Sequence, residues 1–291
     1  MLLSLRTVFS SELLTVRHAI ARPSPQPRKE AEPGISDVML LPIAGVFAKH
    51  EGPDRHFIAN PNHALFFRRG KPYRITFPDG VGDESLVVEF SKPALASLLA
   101  ETIGVEDFGA PVLETHCLLP SSTVLARESL WRALSQADPA RLAVEELCVG
   151  MLSASILAAC KDPRRADRAR HTFTMARRRR QIETVKELIS LQPSADWSLD
   201  ALACHANTSP YHLARVFRKE VGIPVHQYLV RTRIGKALEA MRRPGTSLTD
   251  IAVDTGFAHH SHFTASFRSF FGMTPTQLQR SMGTEVFRAR I

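Results

Sequence analysis

Two short segments, fifty residues apart, carry side chains that can read or grip a polyanion. They are His212-Leu-Ala-Arg-Val-Phe-Arg and His262-Phe-Thr-Ala-Ser-Phe-Arg, followed by Gly222 and Gly272. An arginine fork pairs bidentately with guanine O6 and N7 or with a phosphate, whereas alanine or a threonine methyl can only touch a thymine methyl. Arg215, Arg218, Lys219 and Arg268 can therefore either read a base or hold a phosphate, a contact that fixes register without reading sequence. Other constellations fit their chemistry poorly. His259, His260 and His262 lack the i, i+4 spacing of helical metal ligands, and the nearest carboxylate is Asp254. His50, Glu51, His56 and His63 invite a barrel iron or zinc site but lack a close His-x-His pair. Residues 37–160 hold no serine, cysteine or carboxylate cluster with catalytic spacing. We expect no catalytic residue, no metal and no cofactor.

The elements that must position these side chains are also repeated. Ser198-Leu-Asp-Ala-Leu-Ala and Ser247-Leu-Thr-Asp-Ile-Ala lie 49 residues apart. Each opens on a capping serine and places apolar residues one and four positions later, as a short amphipathic helix does. The second copy then has one extra turn residue. Gly256 suits a left-handed backbone there, and Asn207 takes that role in the first copy. A helix, a short turn and a second helix, twice over, make two helix-turn-helix units, whose second helices enter the major groove.

Over Ser209–Val221 the core stripe reads Leu213, Val216, Phe217 and Val221, leaving Ser209, Pro210, Tyr211, Ala214, Arg215 and Arg218 outward. Over His259–Phe271 the stripe reads Phe263, Phe267 and Phe270, leaving His260, Ser261, Thr264, Ala265 and Arg268 outward. Val225–Arg243 reads as a connecting helix about 28 Å long. That approaches the ~34 Å separating groove sites one duplex turn apart.

Charge agrees with this placement. Residues 1–160 hold 15 Lys and Arg against 18 Asp and Glu, and residues 161–291 hold 22 against 11. The whole excess of the +8 chain therefore lies in the C-terminal part, which implies a polyanionic partner there. Cys117, Cys148, Cys160 and Cys204 are scattered without a Cys-x-x-Cys pair, as reduced thiols in a cytoplasmic protein would be. Cys148 and Cys160 read as core residues. The apolar runs we considered, with Val38–Phe47 foremost, fall short of the roughly 18–20 residues of a membrane span.

The rest of the chain divides by pattern. Residues 1–36, with Pro23, Pro25 and Pro27, read as a disordered leader. From Asp37 to Phe90, short apolar segments alternate with turn formers at the spacing of a small antiparallel sandwich or barrel, whose mouth commonly holds a small ligand. Helical periodicity follows over Ala94–Ala100, Ser122–Ala137 and Pro139–Ala159, and these helices would pack on the barrel or on a second subunit. The basic stretch 161–181, including Arg177 to Arg180, reads as a linker. The expected fold class is α+β multidomain, with a β-barrel bearing helices over 37–160 and an all-α domain with two helix-turn-helix units over 182–282.

From about Ile182 to Arg280 the chain resembles the AraC/XylS-type transcriptional regulators. The resemblance is strongest from Ala252 through Gly256, His259 and Phe263 to Pro275. Ile223-Pro224 departs from the second unit, since its proline follows the glycine one position sooner than Pro275 follows Gly272. The β-segment, with Phe66-Phe-Arg-Arg-Gly-Lys-Pro-Tyr-Arg, resembles more loosely the cupin-like sensor half of that family.

This resemblance implies a sequence-specific DNA-binding regulator, an activator under control of a small-molecule effector. Its partners would be double-stranded DNA, the effector and RNA polymerase, with a possible homodimer. The implied base-contacting residues are Ser209, Pro210, Tyr211, Ala214, Arg215, His260, Ser261, Thr264 and Ala265, with Arg215 the strongest direct reader among them, and Arg218, Lys219 and Arg268 lie where they could hold phosphates. A constitutive dimeric binder without effector and a cupin-type enzyme fused to a DNA-binding domain are the alternatives.

Overall fold

A computed structural model of the chain describes residues 1–24, 31–52, 55–105, 108, 113–136, 139–160, 172–243 and 245–281. It divides into two units, Met1–Arg55 with Ala59–Arg170, and His56–Ile58 with His171–Ile291.

The strands are β1 (Leu2–Ser10), β2 (Leu14–Arg22), β3 (Glu32–Pro33), β4 (Val38–Gly45), β5 (Phe47–His50), β6 (His56–Ala59), β7 (His63–Phe67), β8 (Pro72–Thr76), β9 (Asp83–Phe90) and β10 (His116–Leu118), all in unit 1 except His56–Ile58 of β6. One sheet runs β1-β2-β9-β4-β7-β10 and the other β3-β8-β5-β6. This is the antiparallel β-region expected from the short apolar segments and turn formers. Leu41 faces Leu86 and Met39 faces Val88 across β4 and β9, and all four are buried. Pro42 lacks an amide donor, and the β4 register shifts directly after it, between Pro42 and Ala44.

The leader expected over 1–36 is corrected here. Residues 2–22 form β1 and β2, and β2 pairs with β9 from Leu14 opposite Phe90 to Ala21 opposite Asp83. Leu14, Val16, Ala19 and Ala21 are buried by that pairing. The prolines at 25 and 27 lie outside the described residues.

Three helices complete unit 1: α1 (Lys92–Ile103), α2 (Ser121–Leu134) and α3 (Arg141–Ala159). α3 is long and apolar enough, by length and composition, to cross a membrane. It packs on α1, α2 and β10, burying Val144, Cys148, Met151, Leu152, Ile156 and Ala159 as a core helix does. Cys148 is buried as expected, with its thiol pushed up to about 12 by burial, but Cys160 at the helix end is only half-buried.

Unit 2 is helical: α4 (Thr172–Leu191), α5 (Leu199–His205), α6 (Pro210–Val221), α7 (Val225–Met241), α8 (Leu248–Asp254), α9 (His260–Phe271) and α10 (Pro275–Ser281). The linker expected over 161–181 is half replaced, since 172–181 continue into α4 and 161–171 lie outside the described residues. The buried Ile182, Val185 and Ile189 give α4 a core face, and α4 packs on α5, α6 and α7. α7 spans 17 residues, about 26 Å. It touches α6, α8 and α9 through a buried stripe that includes Tyr228, Ile234 and Leu238.

The turn at Gly256 admits little else. Its φ is +87°, and a Cβ there would lie 2.5 Å from Ser194 Cα and 3.1 Å from Arg233 Nε. Gly256→Ala is therefore expected to cost about 2 kcal/mol or more, from the left-handed penalty plus the clash. Chemical denaturation of the full chain in a Trp131→Phe background, followed by Trp197 fluorescence, measures this. A cost under ~0.5 kcal/mol would mean that the turn relaxes freely.

Candidate nucleic-acid interface

Each helix-turn-helix unit is assembled by local hydrogen bonds. Ser198 Oγ accepts from Ala201 N at 3.0 Å to start α5, and Ser247 Oγ accepts from Thr249 N at 3.2 Å to start α8. Ser209 Oγ accepts from His212 N at 3.2 Å to start α6, so this side chain caps its own helix. α9 starts from an extended His259 whose side chain makes no capping bond. Asn207 adopts φ +48° in the first turn, and its carbonyl accepts from Gln181 Nε2 of α4 at 3.2 Å. In the second, Arg233 of α7 donates to the carbonyls of Pro193 at 2.7 Å and Ala195 at 3.0 Å, beside Gly256. Gly222 and Gly272 close α6 and α9 in the left-handed conformation.

The apolar faces put the polar faces outward. α6 buries Leu213, Val216 and Phe217. α9 buries Phe263, Phe267 and Phe271, each ring edge-on to the next at 5.6 and 4.7 Å. Phe271 thus replaces Phe270 in the stripe; Phe270 is half-buried, with the Arg231 guanidinium 4.9 Å from its ring centre. Burial holds that guanidinium below its ordinary value.

On α6, Ser209, Tyr211, Arg215, Arg218 and Lys219 are exposed, with Tyr211 at 81%, while Pro210 and Ala214 are half-buried. On α9, His260, Ser261, Ala265 and Arg268 are exposed and Thr264 is half-buried. Positions 210, 211, 214, 215 and 218 thus match 260, 261, 264, 265 and 268 in helical phase. Ser209 falls outside α6 itself.

The five α9 residues line one surface groove of about 640 Å³. Two groove residues, Ser269 and Thr274, were missed in the sequence: Ser269 continues the same face one turn beyond Ala265, and Thr274 lies past Gly272. Thr264 Oγ1 is buried in the groove wall and makes no hydrogen bond among the described residues. Four exposed cations, Arg215, Arg218, Lys219 and Arg268, stand on the two helices. Glu220 is the one acidic side chain on α6, and α9 has none.

The family described as a helix-turn-helix domain matches residues 202–281, from within α5 to the end of α10. The C-terminal unit carries a helix-turn-helix domain of that family. The helix-turn-helix domain is similar to part of the HTH-type transcriptional activator AarP of Providencia stuartii, 35% identical over 79 residues, covering 27% of this chain and 58% of AarP. The transcriptional regulator Rob of Salmonella typhimurium is 32% identical over 93 residues, covering 32% of each chain. The matched part therefore spans between a third and three fifths of these relatives. A solved DNA-binding transcriptional dual regulator from Escherichia coli K-12 is 29% identical, covering 35% of this chain and 91% of that chain, at a TM-score of 0.33.

In unit 1 the candidate histidines serve the fold. His63 Nδ1 lies 3.0 Å from Asn60 Oδ1 in a buried turn, and His50 Nε2 lies 2.9 Å from Thr76 Oγ1 across β5 and β8. Among the described residues no group of three or more His, Cys, Asp or Glu could hold a metal ion.

Proposed function

We propose that this protein is a sequence-specific DNA-binding transcription regulator, an activator acting in the cytoplasm under control of a small effector bound by unit 1. The observation that carries the DNA-binding part is the matched outward phase of α6 and α9, each the second helix of its unit and each bearing cations on that face. A helix N-terminal half with this composition is suited to the major groove, and the neighbouring arginines and lysine to phosphates. The similarity to AarP supports activation, which would engage RNA polymerase. The catalytic alternative draws no support from the described side chains of unit 1.

In this reading Pro210, Tyr211, Ala214, Arg215, His260, Ser261, Thr264 and Ala265 meet base edges. Ser209 spends its acceptor on capping and keeps its hydroxyl proton for DNA. Arg218, Lys219 and Arg268 hold phosphates. Unit 1 senses the effector and could pair two copies of the chain.

The test is a sequence preference. Duplexes selected from a random library by the full chain define its operator. Arg215→Ala should then relax preference at one base pair and cost about 1–3 kcal/mol on the selected sequence, with little change on unrelated DNA. Equal weakening on every duplex would move Arg215 to the phosphate group, and no selected sequence at all would overturn the reading.

A further inference from the structure

Unit 1 contains a cavity of about 200 Å³ where β5, β7 and β8 meet the Thr115 segment. Its charges do not balance. Lys49 is 4% exposed, and its ammonium bonds the Phe66 carbonyl at 2.9 Å and Glu51 at 2.8 Å while lying 4.2 Å from the Phe67 ring centre. Arg55 takes the other Glu51 oxygen at 3.2 Å and Glu114 at 3.3 Å. Those two carboxylates are thereby engaged, and two cations of the wall remain. Arg68 donates one Nη to the Leu113 carbonyl at 3.1 Å, and neither Arg68 nor Lys71 makes an ion pair among the described residues. Burial first, and then the charges of Arg68 and Arg55, hold Lys49 below its ordinary value despite Glu51. A surplus of positive charge in a confined space favours an anion.

The remaining wall is apolar and aromatic. Phe67 and Tyr73 meet edge to face at 4.7 Å, and Pro72 stands beside them. The volume equals roughly seven waters, which limits a ligand to on the order of ten non-hydrogen atoms. A guanidinium edge offers parallel donors to a planar carboxylate, and the apolar wall suits a compact ring or short chain better than a phosphate's hydration shell.

We propose that this cavity binds a small monocarboxylate, with Arg68 and Lys71 receiving the carboxylate and Phe67 and Tyr73 covering its apolar body. That this ligand is the effector rests on the regulatory reading of unit 1 above. The binding chemistry does not.

Calorimetric titration of the full chain with benzoate, butyrate, benzamide and inorganic phosphate tests it. Benzoate or butyrate should bind and raise the melting temperature, as a ligand of the native state must. Benzamide and phosphate should bind at least ~10-fold more weakly. Arg68→Gln and Lys71→Gln should each weaken carboxylate binding ~10-fold, and Arg68→Lys should recover part of the loss. Lys71 is exposed, so Lys71→Gln should leave the melting temperature of the free protein unchanged and separates binding from folding. The proposal is overturned if neither carboxylate binds at millimolar concentration, if benzamide binds as well as benzoate, or if Lys71→Gln and Arg68→Gln bind like the parent. A parallel titration of selected DNA with and without benzoate separates the two claims. Carboxylate binding with unchanged DNA affinity sinks the effector role and leaves the site. A different metabolite that alters DNA affinity while every carboxylate fails to bind sinks the site and leaves regulation.

Discussion

Arg127→Met is expected to destabilise unit 1 by about 3–5 kcal/mol, the cost of breaking a buried ion pair from one side. Arg127 is 1% and Glu128 2% exposed, and the guanidinium reaches the Glu128 carboxylate at 2.9 Å. The same guanidinium donates to the carbonyls of Pro42, at 2.7 Å, and Pro61. It therefore ties α2 to the bulge of β4 and to the turn before β7. Methionine keeps much of the volume but donates nothing, so two buried carbonyls lose a donor and a buried carboxylate loses its nearest cation. The double variant Arg127→Met/Glu128→Leu should recover a large part of the loss, because an apolar pair avoids desolvating charge. Trp131 lies on α2 one turn beyond Arg127, and its fluorescence in a denaturant series reports unit 1. A single-variant cost below ~1 kcal/mol would show that water reaches the pair.

DNA affinity is expected to fall steeply with salt. Three phosphate-contacting cations, Arg218, Lys219 and Arg268, displace condensed counterions with a slope of about −0.9 each, so log affinity should fall by about 2.7 per decade of salt. Between 50 and 200 mM that is roughly a 40-fold loss. Lys219 is exposed at the end of α6. Lys219→Gln should weaken every duplex alike and reduce the slope by about 0.9, whereas Arg215→Ala changes preference. Fluorescence anisotropy across a salt series with the full chain measures both. An affinity flat between these salt concentrations would leave the cationic faces of α6 and α9 without a nucleic-acid role.

The C-terminal half was legible because its signals are local. A serine cap, a glycine or asparagine at a left-handed turn and an apolar stripe of period 3.6 all act within a few residues. Ser198, Ser247, Asn207 and Gly256 therefore announce the two units by themselves, and the outward residues follow from helical phase. The errors there are small. Phe271 rather than Phe270 enters the core because the last turn of α9 is fixed by packing on its neighbours.

The opening strands were not legible, for a physical reason. β1 is exposed on both faces apart from its last residues, so it shows no apolar alternation, and β2 exists through pairing with β9, some seventy residues away. The start of α4 looked like linker because arginines dominate it, although arginine is a good helix former and Ile182, Val185 and Ile189 anchor the helix further along.

The two arginine-bearing segments were thus determined by the sequence itself, as residues on the outward faces of two amphipathic helices. Tertiary structure alone decided the cavity of unit 1. Lys49, Arg68 and Thr115 belong to three separate stretches of chain, and only the sheet pairing brings their charges and the Phe67 and Tyr73 rings together. Helix phase is set by neighbours in sequence, whereas a pocket is set by neighbours in space.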